Sequence, residues 1–282
     1  MPEIKQEDYK NCIVVFLDLL GIGEFTKKAS PATLIKVYQS ISHTFNLAEE
    51  IRKSLDVEEP IFGMNIKTSE LLEGKYVTSA MSDSIILTLD EDRIEFLGFL
   101  LSTITMINLH FLLSYNLTLR GGVTLGLIHH KKDNPIIFGK GLIAANELQY
   151  KADYPRVVID DSVILRYQKA INDKKRIQRY KRDFPHMKQH ELYFKSIAGI
   201  DALIEKEKDY SVLRLFNEQN FKGNQSLIEE YYTKIPEIIK DHTQRSWPSS
   251  KKKPSSTIKE KWEYLQGKWD EFVKLHPYNA KS

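Results

Sequence analysis

CIVVFLDLLGIGEFT, residues 12–26, and YVTSAMSDSIILTL, residues 76–89, decide how this chain is read. In each, an apolar, β-branched run leads to a single aspartate, Asp18 in the first and Asp83 in the second, followed at once by small residues or more strand. Such runs predict β-strands, and an aspartate at the end of a strand sits at the sheet's rim with its carboxylate free. Two such carboxylates predict a divalent-metal site.

Working outward, the hydrophobic periodicity predicts strand 12–18, helix 32–53, a hairpin of strands 76–82 and 84–89, and helix 93–114. Strand 117–127, helix 140–151, strand 156–160 and helix 161–179 follow. The succession is a βαββαβ core of an α/β (α+β) fold. Leu34, Ile35, Tyr38, Ile41, Phe45 and Ala48 recur three or four apart, so one face of the first helix packs on the sheet. After the strand-like DYSVLRLFN, residues 209–217, the character changes. Residues 225–242 and 257–274 read as amphipathic helices separated by TQRSWPSSKKKPSS, a linker rich in Ser, Pro and Lys. The expected division is a catalytic-type domain over 1–220 and a helical C-terminal extension over 221–282.

The chain has 282 residues, 41% of them hydrophobic, and a formal net charge of +3. That is ample for a globular core and gives no global electrostatic case for nucleic acid. The basic stretch 169–182 and Lys251 to Lys253 are local and read as solvated surface. The single cysteine, Cys12, cannot form an internal disulfide and reads as a small core residue in a reducing compartment. MPEIKQEDYKN lacks a charged-then-apolar signal pattern, and a cytoplasmic location is expected. FLGFLLSTITMINLHFLLSYNLTL, residues 96–119, exceeds the roughly 20 residues that span a bilayer. Its scattered Ser, Thr and Asn residues and the turn at Tyr115-Asn116 predict a buried core helix instead, with no membrane partner. HHKKDNP, residues 129–135, reads as a polar loop rather than a zinc site, and Trp247, Trp262 and Trp269 read as packing residues.

FLDLLGIGEFT, SDSIILTL, LRGGVTLGLI (119–128) and IFGKGLIAANELQ (137–149) resemble, in that order, the catalytic core of class III nucleotidyl cyclases and, more distantly, polymerase palm domains. The resemblance implies that Asp18 and Asp83, with the main-chain carbonyl of Leu19, hold two Mn²⁺ or Mg²⁺ ions. These would activate the ribose 3′-hydroxyl and neutralise the triphosphate. It also implies that Leu20, Gly21, Ile22 and Gly23 bring backbone and the following helix start close to the phosphates. Purine cyclases read the base at positions matching Ser79 and Ile136, and place their transition-state Asn and Arg at positions matching Ile143 and Glu147. Neither purine readers nor that Asn and Arg are present here. Arg120, at the head of RGG, is a candidate phosphate ligand across a dimer interface or could equally pair with a structural carboxylate, and Arg156 is a second candidate for the missing arginine.

With YPRVVID (154–160) and the aromatic-rich KEKWEYLQGKWDEFV (259–273), the sequence looks like the bacterial pyrimidine cyclases of the Pycsar anti-phage system. Asn146 stands where an aromatic is usual. That family implies a homodimer with sites at the interface, conversion of UTP, or alternatively CTP, to the 3′,5′-cyclic monophosphate, and a signalling role in antiviral defence. The competing expectation is a catalytically silent cyclase-like module that binds nucleotide or protein.

Overall fold

The computed structural model describes residues 9–42, 75–131, 134–176, 178, 200–217, 225–245 and 258–277. β1 (Tyr9–Leu20) is followed by α1 (Ile22–Lys28) and α2 (Pro31–Ser42), then by the hairpin β2 (Tyr76–Met81) and β3 (Ser84–Asp90). A 3₁₀ turn over Glu91–Phe96 leads into α3 (Leu97–Tyr115), then β4 (Thr118–Lys131), β5 (Asn134–Phe138), α4 (Lys140–Ala152), β6 (Val157–Ile159) and α5 (Asp161–Ile171). The chain continues through β7 (Ile204–Glu207), β8 (Tyr210–Leu213), α6 (Gln225–Gln244) and α7 (Ile258–Leu275). The eight strands form one sheet in the order β2-β3-β1-β4-β6-β8-β7, with β5 on β4. The expected βαββαβ succession is present, and in its four strands, β2-β3-β1-β4, each neighbouring pair is antiparallel.

Several boundaries differ from the sequence reading. The helix expected over 93–114 begins at Leu97, because the segment before it is wound as a 3₁₀ turn around the buried Glu95. The helix expected over 161–179 ends at Ile171, with Asn172 as its C-cap. Of the helix expected over 32–53, the part beyond Ser42 lies outside the described residues, as do Asp133, Trp247 and Lys251 to Lys253. The strand expected to stop at 127 continues through His129 and His130 to Lys131 and pairs with β5. The segment read as a polar loop is thus largely hairpin. Its Pro135 stands at the start of β5, where a missing N–H is tolerated.

The two faces of the sheet differ in kind. Ile13, Val15, Leu17 and Leu19 of β1, Ile85, Leu87 and Leu89 of β3, and Leu119 and Val123 of β4 form one face. They are buried in a single core with Val37 and Ile41 of α2 and the apolar side of α3. α3 is buried over most of its length and is the core helix predicted rather than a membrane span. It stops at Asn116, whose left-handed backbone (φ 55°) turns the chain so that the Leu117 N–H donates back to the Phe111 carbonyl at 3.1 Å. The buried Asn108 side chain accepts from the Leu119 N–H at 2.9 Å, tying α3 to β4.

The opposite face carries Cys12, Val14, Phe16 and Asp18, which alternate with the first set. α4 lies on it at close range. A Cβ at Gly122 would stand 2.2 Å from the Ala145 carbonyl oxygen, and one at Gly126 would stand 2.7 Å from Gly141 Cα. Gly122 and Gly126 of RGGVTLG are therefore the residues that admit α4. Cys12 is buried here as expected, its thiol pushed up to about 12 by burial and the Asp90 carboxylate. A second core joins α6 and α7 to Leu109 and Leu112 of α3 and to Leu215 and Phe216. Trp262 and Trp269 are buried in it, as packing residues.

Candidate active site at the rim of β1, β3 and β4

β1 and β3 run antiparallel, with Asp18 opposite Ser84. Asp83 occupies the preceding hairpin turn beside Ser82, whose backbone is left-handed (φ 59°), and its carbonyl accepts from the Leu19 N–H at 3.2 Å. The main chains of the two aspartates predicted as a pair are thus direct neighbours at one rim. Both side chains are partly exposed there.

On its other side Asp18 faces Arg120 of β4 across the strand pair. Its Oδ2 accepts from Arg120 Nε at 2.9 Å and from Nη2 at 2.8 Å, and Gln149 Nε2 of α4 donates to the same oxygen at 3.1 Å. Gln149 was not legible as a site residue. Its side chain reaches Asp18 because the Gly122 backbone lets α4 lie against the sheet. Arg120 thus lies in one cluster with Asp18 of its own chain, the carboxylate pairing that is its alternative reading.

The loop after Asp18 turns at Gly21, whose φ of 90° is a left-handed value that a side chain disfavours. α1 starts at once, with the Phe25 N–H donating to the Gly21 carbonyl at 3.0 Å. Nothing stands within 4 Å of a Cβ built at Gly23, so the backbone there is approachable. Ile22, by contrast, is buried in the core, so its side chain is structural. Leu20 and Gly21 line a cavity of about 420 Å³ whose opposite wall is α6 and α7, including His242, Arg245, Lys261 and Trp262.

Arg156 is elsewhere occupied. Its Nη1 donates to Glu207 at 2.7 Å and its Nε to the Ala152 carbonyl at 2.8 Å. Tyr264 and Lys268 of α7 also bind Glu207, so this cluster docks the last helix on the sheet edge. Glu207 is held below the usual carboxylate range because these donors outweigh its burial.

Ser79 on β2 is engaged with a residue the sequence reading had passed over. Its Oγ lies 2.6 Å from His130 Nε2, and His130 Nδ1 lies 2.9 Å from Thr88 Oγ1. Burial, with a smaller contribution from His129, depresses the His130 imidazole to about 4, so it is neutral near pH 7. Ile136 and Ile143 are solvent-exposed, at 37% and 61%, as are Leu127, Phe138 and Tyr150. Glu147 is exposed on the same helix as Ile143.

Two carboxylates and nearby main-chain carbonyls are hard oxygen donors of the kind that Mg²⁺ takes in small number, with substrate phosphates completing its shell. Asp83 fits this use, its side chain having no hydrogen bond or ion pair among the described residues. Asp18 fits through Oδ1, since the contacts from Arg120 and Gln149 converge on Oδ2.

No protein-family model and no curated protein matches the chain. Among solved structures, the chain is similar to the adenylyl cyclase CyaB from P. aeruginosa, with 12% identity over 57% of this chain and 82% of that one at a TM-score of 0.34. A guanylyl cyclase matches with 10% identity over 56% of this chain and 79% of that one, at 0.36. The monomeric guanylyl cyclase domain of a fusion protein from the aquatic fungus Blastocladiella emersonii matches with 10% identity over 57% and 87%, at 0.34.

Proposed function

We propose that the chain is a nucleotidyl cyclase that converts a pyrimidine nucleoside triphosphate, UTP in preference to CTP, to its 3′,5′-cyclic monophosphate as a signal in anti-phage defence. The observation that carries this reading is the adjacency of Asp18 and Asp83 at one sheet rim, joined by the Leu19 to Asp83 main-chain hydrogen bond. In the reaction the ribose 3′-oxygen attacks the α-phosphorus, the bond to the bridging oxygen breaks and pyrophosphate leaves with its electron pair. Mn²⁺ or Mg²⁺, held by Asp18, Asp83 and the Leu19 carbonyl, supplies Lewis-acid activation and charge neutralisation when bound. Arg120 and Gln149 fix the Asp18 carboxylate through one oxygen and leave the other directed to the site. Leu20, Gly21 and Gly23 present backbone to the phosphates.

Base choice is read at Ser79 and Ile136. One hydroxyl and one aliphatic wall leave a buried purine edge with unpaired polar groups, at about 1 to 3 kcal/mol each. The Ser79 hydroxyl is further constrained by neutral His130. With its proton on Nε2, His130 donates to Ser79 and frees that hydroxyl to donate to uracil O4. With the proton on Nδ1 it accepts from Ser79, which then offers only an acceptor, suited to the cytosine amine. The exposed apolar residues Leu127, Phe138, Ile143 and Tyr150 support a homodimer formed through the β4–β5 hairpin and α4.

A silent nucleotide- or protein-binding module is the second reading, favoured by Ile143 and Glu147 at the positions of the transition-state pair. Purified protein incubated with each of the four NTPs and Mn²⁺, products identified by mass, separates the two. Cyclic UMP or cyclic CMP supports the proposal. Cyclic AMP or cyclic GMP as the main product defeats the pyrimidine reading, and no cyclic product favours the silent module.

A further inference from the structure

We propose that Lys261, delivered by the last helix α7, is a polyphosphate-binding residue of the nucleotide site. The proposal rests on the reading that the substrate's phosphates lie beside Asp18 and the Leu20-Gly21 turn. Its own basis is the disposition of cations around that turn.

Three cations could serve a triphosphate near Asp18 in place of the arginine that Glu147 does not supply. Arg120 is already neutralised by Asp18, and Arg156 by Glu207. Lys261 differs. It is partly buried in the wall of the cavity that Leu20 and Gly21 line, and it makes no hydrogen bond or ion pair with the described residues. Its ammonium is held below the usual lysine range, chiefly by burial and then by the Arg120 guanidinium, against the opposing pull of Asp153 and Asp18. A desolvated ammonium close to a guanidinium is an unfavourable arrangement that an entering anion relieves.

The rest of the cavity agrees. Lys28 and Arg245 add two cations, while Glu24 is its one acidic lining residue among the described residues and is hydrogen-bonded to Lys27. Arg245 is paired with Asp241, so Lys28 and Lys261 are the cations most open to a ligand. Apolar walls from Phe25, Leu117 and Trp262 lower the local polarity and strengthen charge interactions beside them. The backbone that carries Lys261 is anchored, because its neighbour Trp262 is buried in the second core and stacks on His242 with ring centroids 4.0 Å apart. The C-terminal helices thus complete the site as well as cover the sheet edge.

The test is calorimetric titration of inorganic tripolyphosphate into the whole chain, without nucleotide or metal. Lys261→Gln should bind about 10-fold more weakly or worse, the loss expected for one charge-assisted contact. Lys261→Arg should recover most of the affinity, and Lys274→Gln, exposed near the helix end, should leave it unchanged. The melting temperature of Lys261→Gln should hold, since the substitution removes a strained cation. Tripolyphosphate binding equal to wild type in Lys261→Gln overturns the proposal, as does no binding by the wild-type chain. Binding through Lys261 without turnover of any NTP leaves the proposal standing and defeats the cyclase reading. Cyclisation with unchanged kcat and KM in Lys261→Gln does the reverse.

Discussion

The two faces of the central sheet are made from alternate residues of the same strands, yet they do opposite things. On the face under α2 and α3, β1 contributes Ile13, Val15, Leu17 and Leu19, all buried among aliphatic neighbours. On the α4 face the intervening residues end at Asp18, flanked by Arg120 and Gln149, while Thr88 of β3 binds His130. A strand's period of two lets one segment anchor the fold and carry chemistry without either constraining the other. Perturbations of one face should therefore appear as stability, and perturbations of the other as activity, with changes in stability that are small near pH 7 and grow in acid.

The largest stability effect should come from the apolar face. Leu101 of α3 is fully buried, so Leu101→Ala should cost about 2 to 5 kcal/mol in denaturant unfolding, the range for emptying a packed leucine site. A cost under about 1 kcal/mol would mean that α3 is not the core helix described. Purification should also succeed from the soluble fraction without detergent, and retention in washed membranes would contradict the burial of α3.

A smaller effect belongs to the α4 face and depends on pH. His130 titrates near 6.5 when unfolded and about 4 when folded. Between these values the unfolded chain binds more protons, so stability rises with pH and is lost as pH falls from about 6.5 toward 4. The contribution is on the order of 2 to 3 kcal/mol by pH 4. His130→Asn, compared with wild type at pH 4.5 and pH 7.5, should flatten that part of the profile. An unchanged slope would remove His130 as its source.

How far each face was legible follows from the range of the interactions. The apolar face was legible because alternation is local: strands β1, β3 and β4 and helices α3 and α4 were all expected close to where they lie. α1 was not set out as an element, since seven residues with an internal glycine give little periodicity. β7, IEKE, was missed because it is a polar edge strand with no apolar alternation. Of the site, the two aspartates could be picked out from the ends of their own strands. Gln149, His130 and Lys261 could not, because each acquires its meaning from a partner far along the chain, and no local pattern marks such pairs. Arg156 was readable only as a cation in a suitable place, and Glu207, which neutralises it, sits in the unanticipated β7.

The two aspartates proposed as metal ligands sharpen the comparison further, because they are not equivalent. Two free carboxylates would repel in the metal-free protein, and either neutralisation would then hold or raise stability. Asp18, however, is paired with Arg120 and Gln149, whereas Asp83 has no such partner among the described residues. Asp18→Asn should therefore lower stability by about 1 kcal/mol, and Asp83→Asn should leave the melting temperature level or slightly higher. Both should abolish cyclisation. A large drop in melting temperature for Asp83→Asn would assign that residue to the hairpin turn instead of to chemistry.

The smallest expected signal is a null one, and it distinguishes two ways of using Arg120. If Arg120 served the partner's site across a dimer interface, mixing Asp18→Asn subunits with Arg120→Ala subunits would leave one complete site in each mixed dimer, and activity would return. The structure instead pairs Arg120 with Asp18 of its own chain through two nitrogen atoms within 3 Å of one carboxylate oxygen. Both residues then belong to the same site. Every site in a mixed dimer lacks one of them, and no recovery is expected after subunit exchange has been verified by mass. Recovered cyclisation would mean that Arg120 leaves Asp18 when the dimer forms, and that the α4 face is remade by its partner.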